Sequence, residues 1–340
     1  MFRVAVVILN WNGKSLLKEF LPSVIRHTNL TDTKVFVADN GSTDDSIDYL
    51  KKDFPDTEII ALDKNYGFAE GYNRALAQID AQYFVLLNSD IEVTEGWIEP
   101  IIELMDRDKS IAAFMPKIMS YNNRQEFEYA GAAGGFIDRF GFPFCRGRIF
   151  NVFEKDEGQY DTVSEIFWAT GACMFIRADL FNCTGGLDKH FFAHMEEIDL
   201  CWRLKNMGYR IMYHPGVKVY HLGGGTLKKI NPHKTYLNFR NNLFLLYKNL
   251  PPYYFYRTFI GRFILDWIAA VKFLAGLEFK NSLAVCRAHI SFISMVHSFR
   301  PKRKTHLPEY IKYDHPEVYL KSIVVDFFLR GKKYFRDLEF

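Results

Sequence analysis

The segment YFVLLNSDIEV, residues 83–93, carries a strongly apolar run that ends abruptly in the polar residues Asn88, Ser89 and Asp90. An apolar run of this length bounded by turn-forming residues indicates a buried strand, typically of a parallel sheet. Open α/β sheets bind their ligands just beyond the carboxyl ends of such strands. The polar residues therefore either form an ordinary strand exit or belong to a binding site.

The sequence around this segment alternates predicted strands with predicted helices through roughly its first hundred residues. The strands are predicted at residues 3–9, 34–40, 57–63 and 81–88. This alternation predicts an α/β fold with a Rossmann-like, mostly parallel sheet flanked by helices. Amide or acidic side chains follow each strand, and they include Asn10, Asp39, Asn65 and Asn88. Because parallel strands bring their carboxyl ends to one edge of the sheet, we expect these side chains to meet there.

Composition restricts the class of protein. With 340 residues, 49% of them hydrophobic, the chain is long enough for one large domain or two smaller ones. Its five cysteines form no C-x-x-C pair, which argues against a disulfide framework or zinc cluster and favours a reducing compartment. We expect no membrane-spanning helix, because no uncharged apolar segment of about 18 residues occurs.

Charge is divided unevenly along the chain. Residues 228–340 contain 20 Lys and Arg against 8 Asp and Glu, a balance of +12, and the rest of the chain has a balance of −9. The later part is also helical and aromatic in pattern, so we predict one domain at 1–230 and a helical C-terminal region at 231–340. A basic region favours nucleic acid or an anionic membrane surface as its partner. We expect the membrane surface and no nucleic acid.

The chemistry of a possible nucleotide site follows from what the chain lacks. The phosphate-binding patterns G-x-G-x-x-G after the first strand and G-x-x-x-x-G-K-[ST] are absent from the sequence. Carboxylates and amides would hold a nucleotide instead, with Asp39 accepting from a base or ribose. A diphosphate would then need a cation, which Asp90 can bind because Mg²⁺ or Mn²⁺ takes few carboxylates and completes its shell with phosphate and water. His221, which ends the run VKVYH before three glycines, is either a packed histidine or a third contact to metal or phosphate.

A second polar cluster lies in the segment HMEEIDLCWRL, residues 194–204. On a helix, Glu196, Asp199 and Arg203 fall roughly on one face while Glu197 points elsewhere. The acids are either a charged helix start that favours the positive end of the dipole, or groups that enter a partly buried place. In the second case a carboxylate with a raised pKa can serve as a general base.

The ordered motifs resemble those of family 2 glycosyltransferases with the GT-A fold, especially the bacterial rhamnosyltransferase-like branch. The resemblance covers about residues 3–227 and rests on VVILNWNG, VADNGSTDDS, NYGFAEGYNRAL, FVLLNSDIEV, ATGACMFIRADLF, GGLDKHFFAHMEEIDLCWRLKNMGYRI and VYHLGGGT. It implies inverting transfer of a sugar from a dTDP- or UDP-linked donor to a hydroxyl of a glycan or lipid-linked glycan, in bacterial cell-surface polysaccharide synthesis. It also implies a divalent metal, Mg²⁺ or Mn²⁺, and a cytoplasmic location on the inner face of the membrane.

The resemblance assigns the donor site. The nucleotide pocket would be formed by Asn10, Asp39, Asn65 and Asn73. Asn88, Ser89 and Asp90 stand at the metal motif of the family, which is of the D-x-D type. Asn88 departs from the usual first Asp, so Asp90 would carry most of the metal binding, with His221 completing the site.

The resemblance also assigns the reacting residues. Glu197 stands at the catalytic Asp of the family's acidic pair, and Glu196 remains the alternative base. The sugar and acceptor pocket would be lined by Trp168, Thr170, Gly171, Asp199 and Arg203. Because Asn88 and Glu197 depart from the family pattern, a catalytically silent nucleotide-sugar-binding protein stays an alternative, as does a nucleotidyltransferase on a similar sheet.

The C-terminal region contains one amphipathic segment, YRTFIGRFILDWIAAVKFLAGLEFK, residues 256–280. Its apolar helical face carries Phe259, Ile260, Phe263, Ile264, Trp267, Ile268, Val271 and Leu274. Arg262, Asp266 and Lys272 lie away from that face. The apolar face either packs on the catalytic domain or lies on an anionic membrane, and the surrounding basic charge favours the membrane.

Overall fold

The computed structural model describes residues 1–28, 30–223, 231–306 and 315–340. The strands are β1 (Phe2–Asn10), β2 (Thr33–Asp39), β3 (Glu58–Ala61), β4 (Ala81–Asn88), β5 (Ile91–Val93), β6 (Ile111–Ser120), β7 (Gly135–Asp138), β8 (Pro143–Cys145), β9 (Arg148–Ile149), β10 (Val152–Phe153), β11 (Ser164–Ile166), β12 (Cys173–Arg177), β13 (Arg210–His221) and β14 (Val318–Tyr319). The α-helices are α1 (Lys14–His27), α2 (Ser46–Asp53), α3 (Gly67–Leu76), α4 (Glu99–Arg107), α5 (Ala178–Cys183), α6 (Glu196–Asn206), α7 (Pro232–Asn249), α8 (Pro252–Ala275), α9 (Phe279–His306) and α10 (Ile323–Phe328).

The central sheet has nine strands in the order β11-β13-β6-β12-β4-β1-β2-β3, with β5 paired to β13. The strands β1, β2, β3, β4, β6 and β13 run in one direction, and β5, β11 and β12 run against them. The apolar runs of β1 and β4 are buried because helices cover both faces of the sheet. The predicted mostly parallel, helix-flanked α/β sheet is therefore confirmed.

Strand register explains why the polar strand ends meet. Asn10 lies opposite Asp39 across β1 and β2, and Leu9 lies opposite Asn88 across β1 and β4. All three strands thus finish at nearly the same level of the sheet. The predicted polar edge of the sheet is present.

A second, smaller sheet joins β14, near the end of the described chain, to strands β7–β10. Its five strands follow the order β10-β9-β8-β7-β14, and β14 runs parallel to β7. The buried Asp138 accepts hydrogen bonds from the backbone amides of Phe142, at 2.9 Å, and Ile323, at 3.0 Å. The last described segment therefore packs back onto the region before β11.

Three long helices, α7 to α9, occupy most of the C-terminal region. In the described part of the chain, no helix is both long and apolar enough to cross a membrane. Helix α8 buries Thr258, Arg262, Asp266 and Ala270 and turns its apolar face outward, so the alternative of an apolar face packed on the catalytic domain is wrong. Most of the glycine run after His221 falls in residues 224–230, outside the described residues.

Candidate active site

His221, the last residue of β13, lies between two buried carboxylates at the polar edge of the sheet. Its Nε2 is 3.1 Å from Asp90 Oδ1, and its Nδ1 is 2.9 Å from Glu128 Oε2. Gly223 passes so close that a Cβ there would lie 2.5 Å from Glu128 Oε1, and its φ of +66° is one that side chains rarely adopt. A glycine at this position therefore makes room for the carboxylate of Glu128.

The charges in this cluster stabilise one another. Burial alone would lower the pKa of His221, but the hydrogen bonds and charges of Asp90 and Glu128 outweigh it and raise the pKa to about 10. Burial raises the pKa values of the two carboxyls, and the contact with His221 outweighs it and lowers both. Asp90 is consequently ionised and available to a cation.

The residues present fit a divalent cation. Asp90 Oδ1 and His221 Nε2 lie 3.1 Å apart, and a bound metal would displace the proton between them, leaving a carboxylate oxygen and a neutral imidazole nitrogen that suit an ion such as Mn²⁺. Within residues that the structure describes, no group of three or more His, Cys, Asp or Glu side chains could hold a metal. Two protein ligands suffice for an ion that completes its shell with phosphate and water. Glu128 would then accept from the other ring nitrogen and orient the imidazole.

The nucleotide side of the edge is built on Asn10 and Asp39. Asn10 Nδ2 donates to Asp39 Oδ1 at 3.0 Å and to Ser42 Oγ at 3.3 Å, while the Ser42 amide donates to Asp39 Oδ2 at 2.9 Å. Asp39 is fully buried. Asn10 Oδ1 is buried and, among the described residues, has no hydrogen-bond partner. Asn10 therefore has an acceptor to offer a ligand, and Asp39 orients Asn10.

The other predicted donor-site residues differ in what they can reach. Asn65 Oδ1 accepts from the Gly67 amide at 2.8 Å, which fixes the start of α3. Asn88 is half-buried at the end of β4. Asn73 uses both polar atoms on Leu187, donating to its carbonyl at 2.6 Å and accepting from its amide at 2.9 Å. The Asn73 amide thus holds the Leu187 backbone, and its contact with the nucleotide stays a prediction.

The catalytic candidates follow a strained loop. Helix α6 begins at Glu196, as predicted, and Phe192, His194 and Met195 before it have φ values of 66°, 70° and 75°. Non-glycine residues rarely adopt this left-handed conformation, and it persists only where neighbouring groups hold it. Something outside the loop must therefore hold it in place.

Helix α7 supplies that hold. Asn241 Nδ2 lies 2.9 Å from each of the carbonyl oxygens of Phe191 and Ala193, and 2.7 Å from that of His194. Arg240 Nη2 donates to the Phe191 carbonyl at 3.1 Å and to Asn241 Oδ1 at 2.7 Å. Two neighbouring side chains of the C-terminal region thus bind the backbone that delivers the acidic pair.

The acidic pair itself has two different environments. Glu196 is buried, whereas Glu197 is half-buried beside Gly171, where a Cβ would lie 3.9 Å from the Glu197 Cβ. Burial and the charge of Glu197 raise the pKa of Glu196 well above its ordinary value, and burial raises the pKa of Glu197 to about 7. In the described structure, Oε2 of each carboxyl and Nε2 of His194 are buried without a hydrogen-bond partner. Unpaired buried polar atoms with perturbed pKa values mark a place where a ligand completes the bonding.

The sequence matches a protein family. A family model described as "Glycosyl transferase family 2" matches residues 5–185, which is more than half of the chain. The chain belongs to glycosyltransferase family 2. The chain is 25% identical over 232 residues to the N-acetylglucosaminyl-diphospho-decaprenol L-rhamnosyltransferase of Mycobacterium tuberculosis, an alignment that covers 64% of this chain and 75% of that protein. Both the family and its rhamnosyltransferase-like branch were predicted correctly.

Solved structures confirm the GT-A fold. S. aureus TarS 1-349 in complex with UDP-GlcNAc superposes with a TM-score of 0.58 at 13% identity, over 94% of this chain and 99% of that one. Mannosyltransferase PcManGT from Pyrobaculum calidifontis, in complex with GDP-Man and Mn²⁺, gives a TM-score of 0.52 at 15% identity, over 89% and 83%. Family membership makes the protein a transferase and leaves no support for the nucleotidyltransferase alternative.

Two predicted substrate residues of this glycosyltransferase are internal instead. Asp199 and Arg203 are buried, and Arg203 Nε donates to Asp199 Oδ2 at 2.9 Å. Lys248 of α7 donates to the same Asp199 oxygen at 2.7 Å, and Arg203 also donates to the carbonyl oxygens of Thr184 and Gly186. All of these bonds are made inside the protein, and contact of Asp199 and Arg203 with substrate stays a prediction.

Two of the remaining predicted pocket residues, Trp168 and Thr170, are buried. Trp168 is buried and donates through its indole nitrogen to the Phe136 carbonyl at 2.8 Å. Thr170 is also buried, and its hydroxyl accepts from the Ala172 amide at 3.2 Å. Contact of Trp168 and Thr170 with substrate stays a prediction. Gly171 lies against Glu197, since a Cβ added to it would be 3.9 Å from the Glu197 Cβ.

Sequence reasoning missed Glu128 and the residues of α7. Glu128 is 93 positions from His221 along the chain, and Asn241 is about 50 from the loop it binds. The run NFRNN, residues 238–242, offered a signal, because amides in an otherwise apolar helix need partners when they are buried. The run therefore indicates that these amides bind other parts of the protein, but it does not indicate which loop they bind.

We predict that Asn241→Ala loosens the base-bearing loop. The carbonyls of Phe191, Ala193 and His194 would lose their donor, which costs about 1–3 kcal/mol of unfolding free energy. The rate constant kcat should fall further than the donor KM changes, because the loop carries the acidic pair rather than the donor site. Thermal unfolding and steady-state kinetics measure both, with Asn238→Ala on the same helix as the control. Unchanged kcat in a destabilised Asn241→Ala protein would contradict this role.

Proposed function

We propose that the protein is an inverting glycosyltransferase that uses a dTDP- or UDP-linked sugar and a hydroxyl of a glycan or lipid-linked glycan. The observation that carries the proposal is the pairing of two sites on one sheet edge. Asp90 and His221 form a buried, hydrogen-bonded pair that would hold a cation, and Glu197, whose pKa burial raises to about 7, lies in the first turn of α6 beside Gly171. The amide of Asn88 donates to the Ala172 carbonyl at 2.9 Å, which links the metal motif to the segment beside Glu197.

Each side chain has a defined task in this proposal. Asn10, supported by Asp39, holds the base and ribose. A divalent cation on Asp90 and His221 would neutralise charge on the leaving diphosphate. Glu197 accepts the proton of the acceptor hydroxyl as the oxygen attacks the anomeric carbon and the bond to the diphosphate breaks. One displacement of this kind inverts the anomeric configuration.

Glu197 is the better base of the pair. Glu196 is buried, and burial together with the charge of Glu197 raises its pKa well above its ordinary value, which disfavours the charged form that a general base needs. Glu197 is half-buried, and burial raises its pKa to about 7, a value that suits a general base near neutral pH. We therefore assign Glu196 to a sugar or acceptor hydroxyl.

The names of relatives support the acceptor class. One matched protein is a rhamnosyltransferase acting on N-acetylglucosaminyl-diphospho-decaprenol, and another is the rhamnosyltransferase WbbL of Escherichia coli. We propose a glycan of a bacterial cell surface as the product and the cytoplasmic face of the membrane as the place of reaction. The test is to incubate the purified chain with a panel of dTDP and UDP sugars and Mn²⁺ or Mg²⁺. Release of nucleoside diphosphate with none of them would leave the catalytically silent alternative.

The first prediction concerns the metal. Asp90→Ala should lower transfer about 100-fold or more, because the leaving diphosphate loses its counter-charge. EDTA should abolish activity reversibly, and His221→Ala should have a milder effect because phosphate or water can replace one ligand.

Glu128→Gln should weaken Mn²⁺ binding about 10- to 100-fold, as measured by electron paramagnetic resonance without donor. Glu92→Gln is the control, since Glu92 pairs with Arg124. Full activity in EDTA would exclude the metal role.

The second prediction separates the two glutamates. Glu197→Gln should keep donor affinity and lose about 10²- to 10⁴-fold in kcat, because a base acts only in the transition state. Glu196→Gln should mainly raise the acceptor KM. Calorimetric donor binding and acceptor kinetics distinguish the two. An inactive Glu196→Gln beside a normal Glu197→Gln would reverse the assignment.

The third prediction is a pH dependence. Burial raises the pKa of Glu197 to about 7, so its basic form increases as pH rises through that value. We expect kcat/KM to increase about tenfold per pH unit below 7 and to level off above it, with an apparent pKa that belongs to the coupled pair. The profile should be measured between the pH limits at which far-ultraviolet circular dichroism shows the fold intact. A flat profile across pH 7 would argue against a raised carboxyl pKa in catalysis.

A further inference from the structure

The helical hairpin α8–α9 exposes an unusual amount of apolar surface. The outer face, as we define it, consists of the exposed side chains Ile260, Ile264, Ile268, Val271, Ile290 and Ile293 together with the aromatic groups between them. Ile260 and Val271 are each 61% exposed, and Ile293 is 68% exposed. Scattered exposed apolar residues are normal, but a contiguous stripe at helical spacing marks an interaction surface.

The inner face of α8 is polar, which reverses the usual orientation of a surface helix. Arg262, Asp266 and His289 are buried, with Arg262 Nε 2.6 Å and His289 Nε2 3.1 Å from the two Asp266 oxygens. Arg262 also donates to Asn242 of α7 and stacks over Phe142, 3.9 Å from the ring centroid. These buried ionic contacts fix which side of α8 faces the protein. The apolar side is therefore held outward by the fold.

The two helices present their apolar stripes side by side. Phe263 and Trp267 of α8 both contact the ring of His289 on α9, at centroid distances of 5.2 and 6.2 Å. Ile290 directly follows His289 and is 67% exposed. The outer face therefore spans both helices and is broader than the single-helix face read from the sequence.

The charge around the outer face identifies what covers it. In residues 252–300 the exposed basic side chains are Arg257, Lys272, Lys280, Arg287 and Arg300. The only exposed acidic side chain in that same described range is Glu278. A two-fold dimer through this face would set like charges against each other, whereas an anionic lipid surface would neutralise them.

We propose that the outer face of α8–α9 is a docking surface for an anionic membrane, with the hairpin lying flat in the interface. Its isoleucines enter the boundary between headgroups and acyl chains, Trp267 lies at the boundary, and the basic residues contact lipid phosphates. The polar inner face keeps the rest of the protein above the lipid.

The docking surface is one helix away from the catalytic loop. Asn242 of α7 accepts from Arg262 of α8, and the adjacent Asn241 binds the backbone of the loop before Glu196. Docking would therefore bring the acceptor side of the cleft close to a lipid-linked acceptor. That last consequence rests on the proposed function, whereas the docking itself does not.

Vesicle flotation with the full chain tests this inference. The probes are phosphatidylcholine vesicles with and without phosphatidylglycerol, and we expect flotation with the anionic vesicles that weakens with added salt. Ile264→Ser with Ile268→Ser should bind about 100-fold more weakly, since each lost isoleucine removes about tenfold in affinity. Lys280→Gln with Arg287→Gln, two exposed basic positions one heptad apart on α9, should bind about 25-fold more weakly, at about fivefold per basic residue. Val163→Ser, an exposed apolar position outside the hairpin, is the matched control.

The outcomes separate docking from catalysis. All these residues are exposed, so the variants should unfold at the wild-type temperature and hydrolyse donor at the wild-type rate without vesicles. Equal flotation with neutral and anionic vesicles, or wild-type flotation of the isoleucine variant, would overturn the proposal. Absence of flotation would also overturn it. If the isoleucine variant then dissociated a dimer in light scattering, the face would belong to a second copy. Docking with no donor hydrolysis would contradict the proposed function alone.

Discussion

Lys248 is the residue on which the arrangement of the active site depends. Its ammonium group is buried between the carboxylates of Asp188 and Asp199, at 2.8 and 2.7 Å. A buried cation of this kind is tolerated only with its partners, and removing one partner of such a pair typically costs about 3–5 kcal/mol. Asp188 precedes the strained loop and Asp199 lies in the first turns of α6. Helix α7, through one side chain, therefore fixes both ends of the segment that carries Glu196 and Glu197.

This constraint explains why acidic groups on one sheet edge can have opposite properties. Burial alone would raise the pKa values of Asp90, Asp199 and Glu197, and these three carboxyls differ in which groups offset it. His221 outweighs burial at Asp90, and Lys248 with Arg203 outweighs it at Asp199, so both have lowered pKa values. At Glu197 only backbone hydrogen bonds offset burial, and they are outweighed, so the pKa of Glu197 is raised. Groups whose environments move their pKa values apart divide the tasks of charge stabilisation and proton transfer.

Much of the fold and of the candidate site could be predicted from the sequence, and what could not be predicted has a physical reason. The buried strands could be recognised in the sequence as apolar runs. Their parallel pairing could be inferred from the predicted helices between them. The polar edge with Asn10, Asp39 and Asp90 was therefore predictable. Contacts between residues far apart in the sequence could not be predicted. Glu128 and Asn241 bind partners about 93 and 50 positions away, which hydrophobic periodicity does not identify. Burial also was not predictable, because the sequence does not show that Asp199 lies inside the protein with Arg203 and Lys248.

Helix α8 shows the same limit in a different form. Its periodicity defined an apolar face correctly, but no periodic pattern says whether that face points toward the protein or away from it. The decision lies in Arg262, whose contacts to Asp266, Asn242 and Phe142 bind the polar side inward. The division of charge between the two parts of the chain then has one physical reading. The negative charge of the part before residue 228 is the reason that we propose a cation for the donor diphosphate, and the positive charge of the part after it is the reason that we propose an anionic surface for the outer face. Under these two proposals, the same charge difference that attracts the hairpin to lipid phosphates would keep the donor site away from them.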